Sequence, residues 1–207
     1  MLACPLVTGT PIIVPPIWRI VPATPPDGAL PEPSPAGERD VRVALAPGPG
    51  FGTGAHETTQ LCLQAIHALH PRARPWRLLD FGSGSGILSI AGAKLGAQVQ
   101  AIEIDELAIE HARVNAELNG VESQVRFGTA LEEASGLFEL VVANILLPVL
   151  TRAAPELVAR RAPSGALVLS GLVGTDVPAA IASYSPLVGG GRPEIYERGD
   201  WRALVFR

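Results

Sequence analysis

The sequence predicts an α/β fold built on a mostly parallel sheet, and three observations carry that reading. From residue 55 onward, strand-like and helix-like stretches alternate, which is the pattern of a parallel sheet covered by helices on both faces. A glycine-rich run, Asp80-Phe81-Gly82-Ser83-Gly84-Ser85-Gly86, stands between one such strand and the next helix. The chain ends in PEIYERGDWRALVFR, residues 193–207, read as two strands joined by a tight turn at Gly199-Asp200. That hairpin closes the carboxyl edge of the sheet in antiparallel fashion.

Residues 1–49 hold 12 of the 20 prolines. Proline cannot donate to a ladder or a helix, so this part is expected to be an extended, proline-rich extension with short strands at 12–14, 17–21 and 41–45. Its stretch 22–40 reads as a flexible excursion. Residues 50–207 are expected to form the main domain. Leu61, Ala65, Ile66 and Leu69 fall at helical spacing within 56–69. Strands follow at 76–81, 98–104, 124–128, 138–145 and 165–172. Helices lie between them at 86–95, 106–118, about 149–161 and about 175–184.

At 207 residues, with 47% hydrophobic and 17% charged residues, the chain is long enough for a sizeable core. The net charge of -4 argues against nucleic acid as the main partner, because phosphate binding favours a basic surface. Arg72, Arg74 and Arg77 are a local exception. Cys4 and Cys62 are too far apart in sequence to suggest a disulfide framework or a metal site, and a reducing cytoplasm is expected. No His, Cys or carboxylate cluster has metal-ligand spacing. No signal peptide and no membrane-spanning run is evident.

The glycine loop points to a ligand. In open α/β sheets, ligands sit outside the carboxyl ends of strands, where strand order reverses. Glu103, about twenty residues on, is placed to accept hydrogen bonds from ribose hydroxyls. A dinucleotide fingerprint would need glycine at 87, where the chain has Ile87. Asp80 suits a ligand with an ammonium group better than a pyrophosphate. These features favour S-adenosylmethionine, with a dinucleotide and an empty tight turn as the alternatives.

Several stretches together, PGFGTGAHETTQLCL, LLDFGSGSGILSIAGAKLGA, AIEIDELAIEHARVNAELNG, VVANIL and the closing Trp-Arg strand, resemble the ribosomal protein L11 methyltransferase (PrmA) family. The resemblance runs from about residue 5 to the end. It implies a Rossmann-like class I methyltransferase fold with a mostly parallel seven-stranded sheet and a carboxyl-terminal antiparallel hairpin. It also implies S-adenosyl-L-methionine as cofactor, and methylation of protein amines, on lysine or an amino terminus, with a large-subunit ribosomal protein as partner. A small-molecule N-methyltransferase is the alternative. Neither direct nucleic-acid contact nor a membrane is expected. Full-length members carry a further amino-terminal recognition domain. The chain starts about where the linker to that domain would end, so a short form is expected.

Within this resemblance, the loop at 51–60 forms a lid over the methionine end of the cofactor, and the glycine loop is the floor. Thr59, Gly82, Glu103 and Asn144 match the family's cofactor positions, and Glu103 stands where Asp is usual. Thr53, Asp80, Gly84 and Gly86 complete the expected cofactor set. Asn144 is the expected catalytic residue. Its side-chain oxygen and the carbonyl of Ile145 would accept hydrogen bonds from the attacking amine and aim its lone pair. His56 is read as shaping the lid or opening its helix with Glu57, with Thr58 and Thr59 as caps. Phe51 is read as either a ligand contact or core. His67, His70 and His111 are read as solvated helix residues, and Ser170 as a strand-end residue.

Overall fold

The computed structural model describes residues 11–23, 40–73 and 75–207, and the flexible-excursion reading of 22–40 falls largely outside them. Two sheets form. The smaller has three strands, β1 (Ile12–Val14), β2 (Trp18–Pro22) and β3 (Val41–Leu45), with β2 antiparallel to β1 and parallel to β3.

The larger sheet has seven strands: β4 (Trp76–Phe81), β5 (Ala97–Ile102), β6 (Val125–Gly128), β7 (Phe138–Asn144), β8 (Arg161–Val173), β9 (Glu194–Arg198) and β10 (Trp201–Phe206). Their order is β6-β5-β4-β7-β8-β10-β9. All pairings are parallel except those of β10 with β8 and β9, which are antiparallel. The predicted α/β class and closing hairpin therefore hold.

Among the described residues five α-helices cover the sheet: α1 (Glu57–Leu69), α2 (Ile87–Lys94), α3 (Glu106–Leu118), α4 (Leu147–Arg160) and α5 (Val177–Tyr184). Strand residues alternate between faces, and this divides the core in two. Leu78, Leu140, Val142 and Val168 pack toward α1 and α2, with Ala116 of α3 in the same cluster. Leu79, Val141, Ala143 and Leu167 pack toward Leu150 of α4 and Ala180 of α5. Order reverses between β5-β4 and β7-β8, which opens a cleft at the carboxyl ends of β4 and β7.

The three-stranded sheet is more deeply packed than an extension of short edge strands would be. Val14, Trp18, Ile20 and Val43 are buried in the α1–α2 core, and the Trp18 indole donates to the Leu63 carbonyl of α1 at 2.8 Å. Helix α4 starts two residues earlier than the spacing suggests, with Pro148 in its first turn, where no N–H is needed. Strand β8 starts four residues earlier than expected and changes register against β7 between Phe138 and Leu140.

Candidate active site

The cleft holds a trough whose two ends share residues. One end, about 360 Å³, is lined by Gly82, Gly84, Glu103, Asn144, Ile145 and Gly171 among others, with Phe51, His56, Thr58 and Trp201 on its flank. The other, about 380 Å³, is lined by Ile102, Ile104, Ala130, Leu131, Val149 and Arg152 with Gly82, Glu103 and Ile145. Each volume lies in the range of small-molecule sites. Glu103 stands at the junction. Its Oε2 accepts the Gly84 N–H at 3.0 Å, and its Oε1 accepts those of Ile104 and Asp105 at 2.8 and 3.1 Å. A carboxylate has about four acceptor positions, so one remains for a ligand hydroxyl and a second opens if Gly84 is released.

The two glycine-rich loops are bonded to each other. Ser85 donates its backbone N–H to the Phe51 carbonyl at 2.8 Å and its hydroxyl to the Gly52 carbonyl at 2.6 Å. The approach is so close that a Cβ on Gly84 would lie 2.5 Å from the Phe51 oxygen, and Gly84 has φ +53°. Only glycine meets both demands at little cost. The first loop is thus a wall held against the floor.

Helix α1 begins at that wall. Its N-cap is His56, whose Nδ1 accepts the Thr58 N–H at 3.3 Å and lies 2.8 Å from the Thr58 hydroxyl. The cap is therefore the histidine rather than the threonines. The His56 ring meets Trp201 edge-on at 4.7 Å and Phe51 at 5.6 Å, so three rings flank the trough beside Asn144. Phe51 is 59% exposed, which rules out the core reading.

Asn144, which lines the same end of the trough, ends β7. Its Oδ1 is buried and has no hydrogen-bond partner. Such an atom costs about 1–3 kcal/mol, and the residue that carries it lines this end of the trough. The next residue is pinned by β8: the Ile145 N–H donates to the Ser170 carbonyl at 3.2 Å. A Cβ on Gly171, at φ +83°, would lie 2.6 Å from the Ile145 oxygen.

Asp80 is fully buried and does not line the trough. It has the strand parity of Leu78, so it points beneath α2, where the Ser89 hydroxyl donates to its Oδ2 at 2.6 Å. Burial pushes its carboxyl up to about 6, against the opposing pull of Ser89. Its Oδ1 has no partner. Cys62 lies in the same interior; burial pushes its thiol up to about 12, so it is inert as a nucleophile.

Of the residues singled out from the sequence, the structure brings Gly82, Gly84, Glu103, Asn144 and Ile145 together at one trough. Thr53 lines a separate cavity behind the first loop. Thr59 is buried with an unpartnered hydroxyl, and Gly86 caps α2 against Ala112 of α3. His111 is bonded to Ala46 and Gly50 rather than simply solvated. Arg77 is committed to the carbonyls of Ser135 and Leu137 and to the Phe138 ring, and Arg74 of the expected basic patch lies outside the described residues.

Sequence reasoning missed the second end of the trough. Ile104 follows β5, Ala130 follows β6 and Arg152 is in α4, and the three share no motif. The one available signal was Ile104, an apolar residue directly after Glu103, which proves 86% exposed at the rim. Gly171 was also missed, since its need for positive φ appears only once β8 meets the Asn144-Ile145 turn.

The donor set fits S-adenosylmethionine. An unpartnered amide oxygen stands beside three rings at one end, an acid with spare capacity stands at the junction, and an apolar slot forms the other end. The chain matches the family described as ribosomal protein L11 methyltransferase (PrmA) over residues 8–207. A relative of that name from Geobacter sp. (strain M21) is 43% identical over 176 residues, covering 82% of this chain and 56% of its own length. Another from Syntrophotalea carbinolica is 39% identical over 203 residues, covering 96% of this chain and 61% of its own. The chain thus spans less than two thirds of these relatives. The crystal structure of a ribosomal protein L11 methylase from Lactobacillus delbrueckii subsp. bulgaricus superposes with a TM-score of 0.79 at 29% identity, covering 94% of this chain and 96% of that one. An RNA methyltransferase from Salinibacter ruber, solved with S-adenosyl-L-homocysteine, shares the fold at a TM-score of 0.54 and 22% identity, over 70% of this chain and 88% of its own. With a family match from residue 8 to the last residue, and the family's two loops forming one trough, the chain belongs to the ribosomal protein L11 methyltransferase (PrmA) family.

Proposed function

We propose that this chain is an S-adenosylmethionine-dependent N-methyltransferase acting on protein amines, on lysine or an amino terminus, with a large-subunit ribosomal protein as acceptor in the cytoplasm. The observation that carries this reading is the buried, unpartnered Oδ1 of Asn144 at the trough wall. When bound, the cofactor supplies a methyl group on a sulfonium, open to in-line displacement by a neutral amine. Asn144 Oδ1 and the Ile145 carbonyl are the acceptors that orient such an amine and disperse its developing charge. Phe51, His56 and Trp201 hold the adjoining wall. Glu103 takes the ribose end and the slot by Ile104 and Leu131 takes the base. The names of the curated relatives favour a ribosomal acceptor over a small molecule.

The test is transfer of labelled methyl from S-adenosylmethionine to purified large-subunit ribosomal protein L11, read by mass spectrometry. Label on the protein's amines supports the reading. Label only on small molecules in a cell extract would replace it. Asn144→Ala should lower turnover about a hundredfold while changing cofactor affinity much less, and comparable turnover would remove Asn144 from the chemistry.

A further inference from the structure

Two side chains of α3 and that of its C-cap, Asn119, stand outside the trough and take no part in the chemistry above. His111, Asn115 and Asn119 recur at every fourth position, so they share one face of the helix. All three bind main chain leading into the first loop. Asn119 Oδ1 accepts the Ala44 N–H at 2.9 Å, and its Nδ2 donates to the Ala44 carbonyl at 2.7 Å. Asn115 Oδ1 accepts the Ala46 N–H at 2.8 Å. His111 lies 2.8 Å from the Ala46 carbonyl through Nε2, and its Nδ1 accepts the Gly50 N–H at 3.3 Å.

The middle rung differs from the other two. Asn115 is fully buried, and its Nδ2 donates to the Ser85 carbonyl in the glycine loop at 2.8 Å. Ser85 in turn holds Phe51 and Gly52. One side-chain amide therefore joins the lead-in of the wall to the floor and closes a ring through Ala46, Ser85 and Phe51. We propose that Asn115 is a positioning residue for the cofactor site. Its amide fixes the first loop against the glycine loop and so sets the width of the trough between Phe51 and His56 on one side and Gly82 and Gly84 on the other. This rests on the reading of the trough as an S-adenosylmethionine site.

Asn119 supplies an internal control, because it makes the same kind of paired bonds to main chain from the C-cap of the same helix without reaching the glycine loop. Asn115→Ala and Asn119→Ala each strand a backbone N–H and should each lower the thermal midpoint. Titration with S-adenosylhomocysteine by calorimetry separates them: N115A should bind about tenfold more weakly, and N119A should bind like the unaltered chain. Equal weakening by both variants would make the ladder merely structural, and unchanged binding by N115A would overturn the proposal outright. No binding by the unaltered chain would instead remove the cofactor reading beneath it. Should N115A fail to fold, amide hydrogen exchange on the unaltered chain gives the answer. S-adenosylhomocysteine should slow exchange at Ala46, which lies outside the trough, and leave Ala44 unchanged. Exchange at Ala46 that ignores the ligand would overturn the proposal.

Discussion

Asp80 shows how one residue's parity decides its environment. It sits at the head of the glycine loop, where the sequence suggests a ligand-facing acid, but the pleat turns it under α2 beside Ser89. A rise from 3.8 to about 6, caused by burial, corresponds to about 3 kcal/mol. The folded state holds the proton more tightly than the unfolded chain. Asp80 therefore favours folding least above about pH 6, and its cost fades as pH falls toward the unfolded value. Asp80→Asn removes that dependence. Without cofactor, the variant's unfolding free energy relative to the unaltered chain should rise by about 2 kcal/mol between about pH 4 and about pH 7. Urea titrations at both pH values check this, and a constant difference would show that the carboxyl is not shifted.

At the scale of elements, the site depends on where strands end and what meets them there. Strand β7 ends at Asn144, and the turn after it lies against β8 at Gly171, whose positive φ and missing Cβ let the Ile145 carbonyl pass. Gly171→Ala should therefore act on both stability and function. It should cost about 1–3 kcal/mol and displace the Asn144-Ile145 turn from the trough. Chemical denaturation and a turnover assay on the folded variant check the two effects. A variant with normal stability and normal turnover would show that the turn is not held by this contact. The Trp201 ring reaches the same trough from β10, so the closing hairpin supplies part of the site as well as an edge.

For the whole molecule, the placement of the amino-terminal strands matters most. Trp18 is 1% exposed and lies in the same core as Leu63, Trp76 and Leu78. We expect residues 11–23 and 40–45 to unfold with the large sheet in one transition. Trp18→Ala should cost about 3–5 kcal/mol and lower the denaturation midpoint of the whole chain, followed by far-ultraviolet circular dichroism and by Trp201 and Trp76 fluorescence together. Two separate transitions, with the second unmoved, would mark those strands as an independent unit.

Much of the architecture was written in local pattern. Strands at 76–81, 12–14 and 41–45, the helix at 106–118 and the Gly199-Asp200 hairpin all appear where alternation, helical spacing and turn chemistry put them, because those signals come from each segment's own residues. The Gly82, Gly84, Glu103 and Asn144 set was legible for a similar reason: three of them fall in or just after a strand-loop-helix unit with a characteristic spacing. Other features depend on segments far apart in the chain. The direction Asp80 faces, the bond from Ser85 to the first loop, the slot between Ile104 and Arg152 and the burial of Trp18 against α1 arise when separate elements pack. Spacing along one segment carries no record of which other backbone will lie beside it. The sequence thus specified the sheet, its loops and the chemistry of the floor, while packing set the width of the trough and which of its polar atoms were left without a partner.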